Sequence, residues 1–162
     1  ASSTGLALLY LPFLGGFIIL IARPSNGLAA IMTFLILIGC NDTFGYIVGV
    51  LIGKHRFAPK ISPKKSVEGV IGGTIGTFVV VVLVGMQSTT WSSFGSWILL
   101  ALVISIMAPL GDLTESMFKR NLDIKDFGTL LSGHGGALDR FDSMLFVLPA
   151  VYYLGMVITP WA

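Results

Sequence analysis

The chain has 162 residues, 54% of them hydrophobic and 11% charged, with a formal net charge of +2, and its mean hydropathy is +0.89. Such a balance excludes an ordinary soluble globular domain and indicates an integral membrane protein. The lone cysteine, Cys40, excludes an intrachain disulfide, and the absence of CxxC and HExxH removes the common zinc sites.

The expected fold is all-α and polytopic, a single membrane domain over 1–162 with about five transmembrane helices of roughly 20 residues each. No nucleic-acid partner is expected. The first residue is not Met, and apolar sequence begins within a few positions, which suggests an excised or processed piece. No basic stretch followed by a small-residue cleavage site opens the chain, so no signal peptide is read.

Residues 1–53 hold the first two spans. Gly5 to Ala22 is long enough to cross, with Pro12 and Gly15-Gly16 predicting a kink or a thin packing face. Leu28 to Gly53 follows, interrupted by Asn41-Asp42 after thirteen uncharged residues. A carboxylate there must face a wet cavity or a cation, which makes Asp42 a functional candidate. Gly45, Gly49 and Gly53 put a smooth ridge on one side of that helix.

Residues 54–68 form a basic loop whose run KHRFAPKISPKK carries five Lys or Arg and two prolines, so it reads as extended rather than helical. Residues 69–110 hold the third and fourth spans. Gly69/Gly73 and Gly72/Gly76 repeat the small-residue spacing, while Trp91 and Trp97 suit an interfacial aromatic belt. Residues 111–142 are strongly charged, and 143–162 form the last span. Nine of the ten basic residues fall in 54–65 or 119–140. Two spans separate those segments, so they share one side, which the positive-inside rule makes cytoplasmic.

Three clusters could carry chemistry. If Pro109 opens a short helix at the cytoplasmic edge, Asp112, Glu115, Ser116 and Lys119 share one face of it. That stripe is either a solvated face closed by a Glu115–Lys119 pair or a site, and its place directly after an uncharged span favours a site.

Ser132-Gly133-His134-Gly135-Gly136 fits a flexible turn or a backbone concavity for phosphate. Asp139 and Asp142 follow it with hard-cation spacing, and Arg140 between them suits a phosphate. Asp112, Asp139 and Asp142 are chemically sufficient for magnesium, which completes its shell with water and phosphate oxygens. His134 reads as a hydrogen-bond donor or an orienting group.

Lys64, Lys65, Ser66 and Glu68 precede a glycine-rich helix start, a setting that neutralises phosphates. Lys54, Lys60, Lys119, Arg120 and Lys125 add positive charge, while Arg56 reads as a topology determinant.

These residues resemble a known signature. Ser116, Lys119-Arg120, Lys125-Asp126, Gly128, Leu131, His134-Gly135-Gly136 and Asp139-Arg140 through Asp142 match, in spacing, that of the phosphatidate cytidylyltransferases, or CDP-diacylglycerol synthases. Upstream, Asp42-Thr43, Gly53-Lys54, Pro59, Ile61 to Ser66 and Glu68-Gly69 resemble a second block of that family. The resemblance covers the chain and aligns it with the family's C-terminal part, members generally having additional N-terminal helices. Ala137 and Ser132 depart from the pattern, where a larger aliphatic residue and proline are common.

The resemblance implies a multi-pass enzyme of the cytoplasmic membrane, with its active site facing the cytoplasm. It implies condensation of CTP with phosphatidic acid to CDP-diacylglycerol and pyrophosphate, by a homodimer in the lipid bilayer that needs Mg²⁺ with a second, K⁺-like cation. Asp112 and Asp139 would be metal ligands, with Asp142 close by and Lys119 in the catalytic set. Lys64, Lys65, Ser66, Glu68, Ser116, Arg120, Lys125, His134, Gly135, Gly136 and Arg140 would bind substrate. The competing reading is a transporter or ion-coupled protein, which a buried Asp42 and glycine-broken helices would also suit.

Overall fold

The computed structural model describes residues 2–59, 61–85, 93–121 and 138–158, with side chains described from residue 12 onward except at 121 and 138–142. Five helices form in order: α1 Ser2–Ala22, α2 Gly27–Ile52, α3 Val67–Gly85, α4 Phe94–Asn121 and α5 Leu138–Ile158. Between α2 and α3 lie two strands, β1 Arg56–Ala58 and β2 Ser62–Ser66.

Length decides which of these elements can cross a bilayer. At 1.5 Å per residue the 26-residue α2 is roughly 39 Å long, more than the ~30 Å hydrocarbon layer. Among the described residues α2, α3 and Phe94–Arg120 of α4 are long and apolar enough to cross, and Pro12–Ala22 and Ser143–Ile158 are shorter apolar stretches. The protein is an all-α polytopic membrane protein, and its exposed leucines, isoleucines and valines are the surface that lipid would cover.

Burial centres on α4. Trp97, Leu100, Ala101, Ile104 and Ala108 recur at helical spacing and are all buried. They form one cluster with Phe17 and Ile21 of α1, Phe34, Leu37 and Ile38 of α2, Val81 of α3, and Val147, Leu148 and Val151 of α5. Trp97, in the first turn of α4, is 1% exposed, with its ring packed where Gly85 leaves room.

Among the described residues α2 and α3 pack together most extensively, and their contact is made at the glycine ridges. A Cβ on Gly69 would meet the Gly45 carbonyl oxygen at 2.8 Å, and one on Gly73 would meet the Asn41 carbonyl oxygen at 2.6 Å. Only hydrogen at these positions lets the two backbones approach so closely.

Two expectations need correction. Pro109 does not open a separate edge helix, because α4 runs unbroken from Phe94 to Asn121 with Pro109 inside it. Its ring deprives the Ser105 carbonyl of the usual helical partner. The helix continues because the next turn is packed: a Cβ on Gly111 would lie 3.1 Å from Ser143 Cα and 2.9 Å from Phe146 Cβ of α5.

The basic loop, read only as extended, pairs with itself. β1 and β2 are antiparallel, with Arg56 opposite Ser66, Ala58 opposite Ser62 and an irregularity between them. A two-stranded ribbon is marginal by itself. This one is tied down where Val67 N–H donates to the His55 carbonyl at 2.9 Å and where Glu68 grips His55.

Candidate active site

Ser66 sets the start of α3. Its Oγ accepts the Gly69 N–H at 3.1 Å, an N-cap interaction, and the residue is 3% exposed because Gly49 and Gly53 leave room for it. Glu68, in the first turn, accepts from the His55 backbone N–H at 3.2 Å. Its Oε1 also lies 2.6 Å from His55 Nδ1. These two residues brace the hairpin over the helix start.

With the hairpin so placed, Lys65 reaches α4. Its Nζ donates to Asp112 Oδ2 at 2.5 Å and to the Pro109 carbonyl at 3.3 Å. This contact ties the basic hairpin to the C-terminal half of α4, which the sequence marked with Asp112.

Below the pair opens a cavity of about 660 Å³ between α2, α3, α4 and the hairpin. Arg56, Lys64 and Lys65 are its cationic residues, and Asp42 and Asp112 its carboxylates, with Ser62, Ser66, Asn41 and Tyr46 adding polar groups. Asp42 therefore does face a cavity, as a carboxylate inside a span must. Gly53, which caps α2, is eleven positions beyond Asp42, so the cavity reaches roughly 16 Å along that helix. At the inner end, the Asn41 side chain oxygen accepts from the Thr77 hydroxyl at 3.3 Å.

The other expected site residues divide into three groups. Lys119 is bonded to Glu115 at 2.8 Å on the last turns of α4, both largely buried. Ser116 is half-buried and Arg120 exposed on the same turns. Asp139, Arg140 and Asp142 lie in the first turns of α5, outside the described side chains. Lys125, His134, Gly135 and Gly136 lie outside the described residues altogether.

Among the described residues no three His, Cys, Asp or Glu side chains converge on one point. The donor available, Asp112, is a half-buried carboxylate already holding one cation, and all-oxygen donors suit a hard ion. Gly111 touches Ser143, so the backbones carrying Asp112 and Asp142 meet within one residue of both aspartates. Asp139 stands one turn earlier in α5. The backbone thus leaves the three-aspartate set feasible.

A family model described as the cytidylyltransferase family matches residues 1–158. The chain belongs to that family. It is 44% identical over 141 residues to a phosphatidate cytidylyltransferase of Staphylococcus haemolyticus, covering 86% of this chain and 54% of the relative. The corresponding proteins of Staphylococcus saprophyticus and Staphylococcus aureus are 43% and 42% identical, with the same coverage. The chain therefore spans about half the length of the curated relatives it matches.

For this cytidylyltransferase-family chain, the residue least visible in the sequence is Arg56. Read as a topology determinant, it stands opposite Ser66 across the hairpin and lines the cavity. The signal that could have found it is Pro59 between two short segments, a chain-breaking residue placed where Arg56 could be brought back toward the SPKKS stretch.

Proposed function

We propose that the cavity binds CTP and phosphatidate and that the protein transfers the cytidylyl group, forming CDP-diacylglycerol and pyrophosphate. The observation carrying this reading is the Lys65–Asp112 pair at the head of a cavity that also holds Arg56, Lys64 and the capped start of α3. Membership of the cytidylyltransferase family favours it over an ion-coupled transporter.

In the proposed reaction an oxygen of the lipid phosphate attacks the α-phosphorus of CTP in line, and the bond to the β-phosphate breaks. The phosphate monoester is already an anion, so no protein nucleophile is needed and Ser116 serves as a binding hydroxyl. Arg56, Lys64 and Lys65 hold the triphosphate and oppose the charge that moves onto pyrophosphate. The positive end of the α3 helix dipole adds to that field. Magnesium, which Asp112, Asp139 and Asp142 would hold, would neutralise further phosphate charge. In this reading a K⁺-like cation lies near it, the enzyme is a homodimer in the cytoplasmic membrane, and the site faces the cytoplasm.

Purified into lipid nanodiscs, the chain should bind CTP in the presence of magnesium and release pyrophosphate only when phosphatidate is also supplied. Neither CTP binding nor pyrophosphate release under those conditions would overturn the proposal.

A further inference from the structure

The polar cavity has an apolar neighbour. Val70 and Pro109 line both it and a second space of about 330 Å³, which runs between α3 and α4 beneath Phe57 of the hairpin. Leu102, Ile106 and Leu110 border this groove and are 46%, 51% and 41% exposed, so it opens sideways toward the bilayer.

Two hydroxyls interrupt the apolar lining. Thr74 Oγ1 donates to the Val70 carbonyl at 2.9 Å, so its hydrogen is already used. Ser105 differs: the residue is 5% exposed and its Oγ is buried with no hydrogen-bond partner. A buried donor left unsatisfied is unfavourable unless a ligand supplies the acceptor.

The order of these groups along α4 is informative. Ser105, Pro109 and Asp112 stand at i, i+4 and i+7, on one face, about 10 Å from end to end. Moving inward from the hairpin, that face presents a charged pair, then the wall shared by both spaces, then a hydroxyl among hydrocarbon. A diacyl phospholipid presents the same sequence of chemistry: an anionic phosphate, ester carbonyls, then acyl chains.

We infer that the α3–α4 groove holds one acyl chain of the lipid substrate, with Ser105 donating its hydroxyl hydrogen to the ester carbonyl. The inference rests on the proposed cytidylyl transfer for the identity of the lipid. The phosphate then reaches Lys65 past Val70 and Pro109, and the lipid enters laterally without leaving the membrane.

The test uses phosphatidate carrying a photoreactive diazirine within one acyl chain, added to the protein in phosphatidylcholine nanodiscs. Crosslinks should map to 70–78 and 102–110, and unlabelled phosphatidate should displace them while extra phosphatidylcholine does not. Ser105→Ala should raise the phosphatidate needed for half-maximal labelling roughly three- to tenfold, the worth of one hydrogen bond. Leu102→Trp, which fills the groove from its exposed side, should abolish labelling there.

Labelling spread evenly over all lipid-facing helices, or unaffected by both substitutions, would overturn the inference. Crosslinking requires neither CTP nor turnover. Competed groove labelling without pyrophosphate release would therefore count against cytidylyl transfer and leave the groove standing.

Discussion

Lys65 and Asp112 are 47 residues apart in sequence, yet their charged atoms lie 2.5 Å apart and tie the hairpin to α4. Their side chains are 21% and 34% exposed, so both charges are partly withdrawn from water. Removing one partner from such a pair leaves the other poorly solvated. The pairing keeps an acidic residue stable at a membrane edge and holds a cation at the mouth of the cavity, where a triphosphate would arrive.

Asp112→Asn keeps the shape and deletes the charge. Pyrophosphate release should fall by roughly 10²-fold or more, because the carboxylate that would hold magnesium against the phosphates is gone. The exchanged pair, Lys65→Asp with Asp112→Lys, should recover thermal stability in detergent and remain inactive. A native rate in the exchanged protein would make the pair purely structural.

Arg56 and Lys64 are exposed on the hairpin and line the cavity. Arg56→Ala or Lys64→Ala should raise KM for CTP roughly two- to fivefold, as for a solvent-screened charge contact. Raising the salt concentration should shrink the difference. Steady-state kinetics at low and high salt check both statements, and an unchanged KM would return these residues to a topological role.

The helices were legible because uninterrupted apolar runs of spanning length have few alternatives, and the α2–α3 seam because glycines every fourth residue mark a close approach. Asp42 was legible from its cost inside a span. The hairpin was not. The run KHRFAPKISPKK shows no strand alternation, and its pairing is enforced from outside by Glu68 and the α3 cap. Pro109 misled for a related reason: packing of Gly111 against α5 carries the helix through a residue that ordinarily ends one. The burial of Trp97 was not legible, because it depends on Gly85 of another helix.

Glu68 was expected to bind substrate; in the structure it pairs with His55. Glu68→Gln keeps the shape but weakens the charge-assisted contacts. Amide exchange should quicken across 55–66, with KM for CTP rising and kcat little changed. Unchanged exchange beside a raised KM would point to direct contact between Glu68 and the nucleotide.

The glycine seam sets the cavity wall, since Asn41, Gly45, Gly49, Gly69 and Gly73 all line it. A Cβ at Gly73 would press on the Asn41 backbone, and one at Gly76 would overlap the Phe44 ring. Gly73→Ala and Gly76→Ala should each destabilise the protein by about 1–3 kcal/mol, the usual penalty for overpacking. Gly39→Ala meets nothing within 4 Å and should be neutral or slightly stabilising, because alanine favours the helix. Thermal unfolding of the three variants in one detergent compares them directly. Because Gly73 borders the cavity and Gly76 does not, Gly73→Ala should also weaken CTP binding beyond its effect on stability. Equal losses of CTP affinity in the two variants would mean that the seam acts only through global stability.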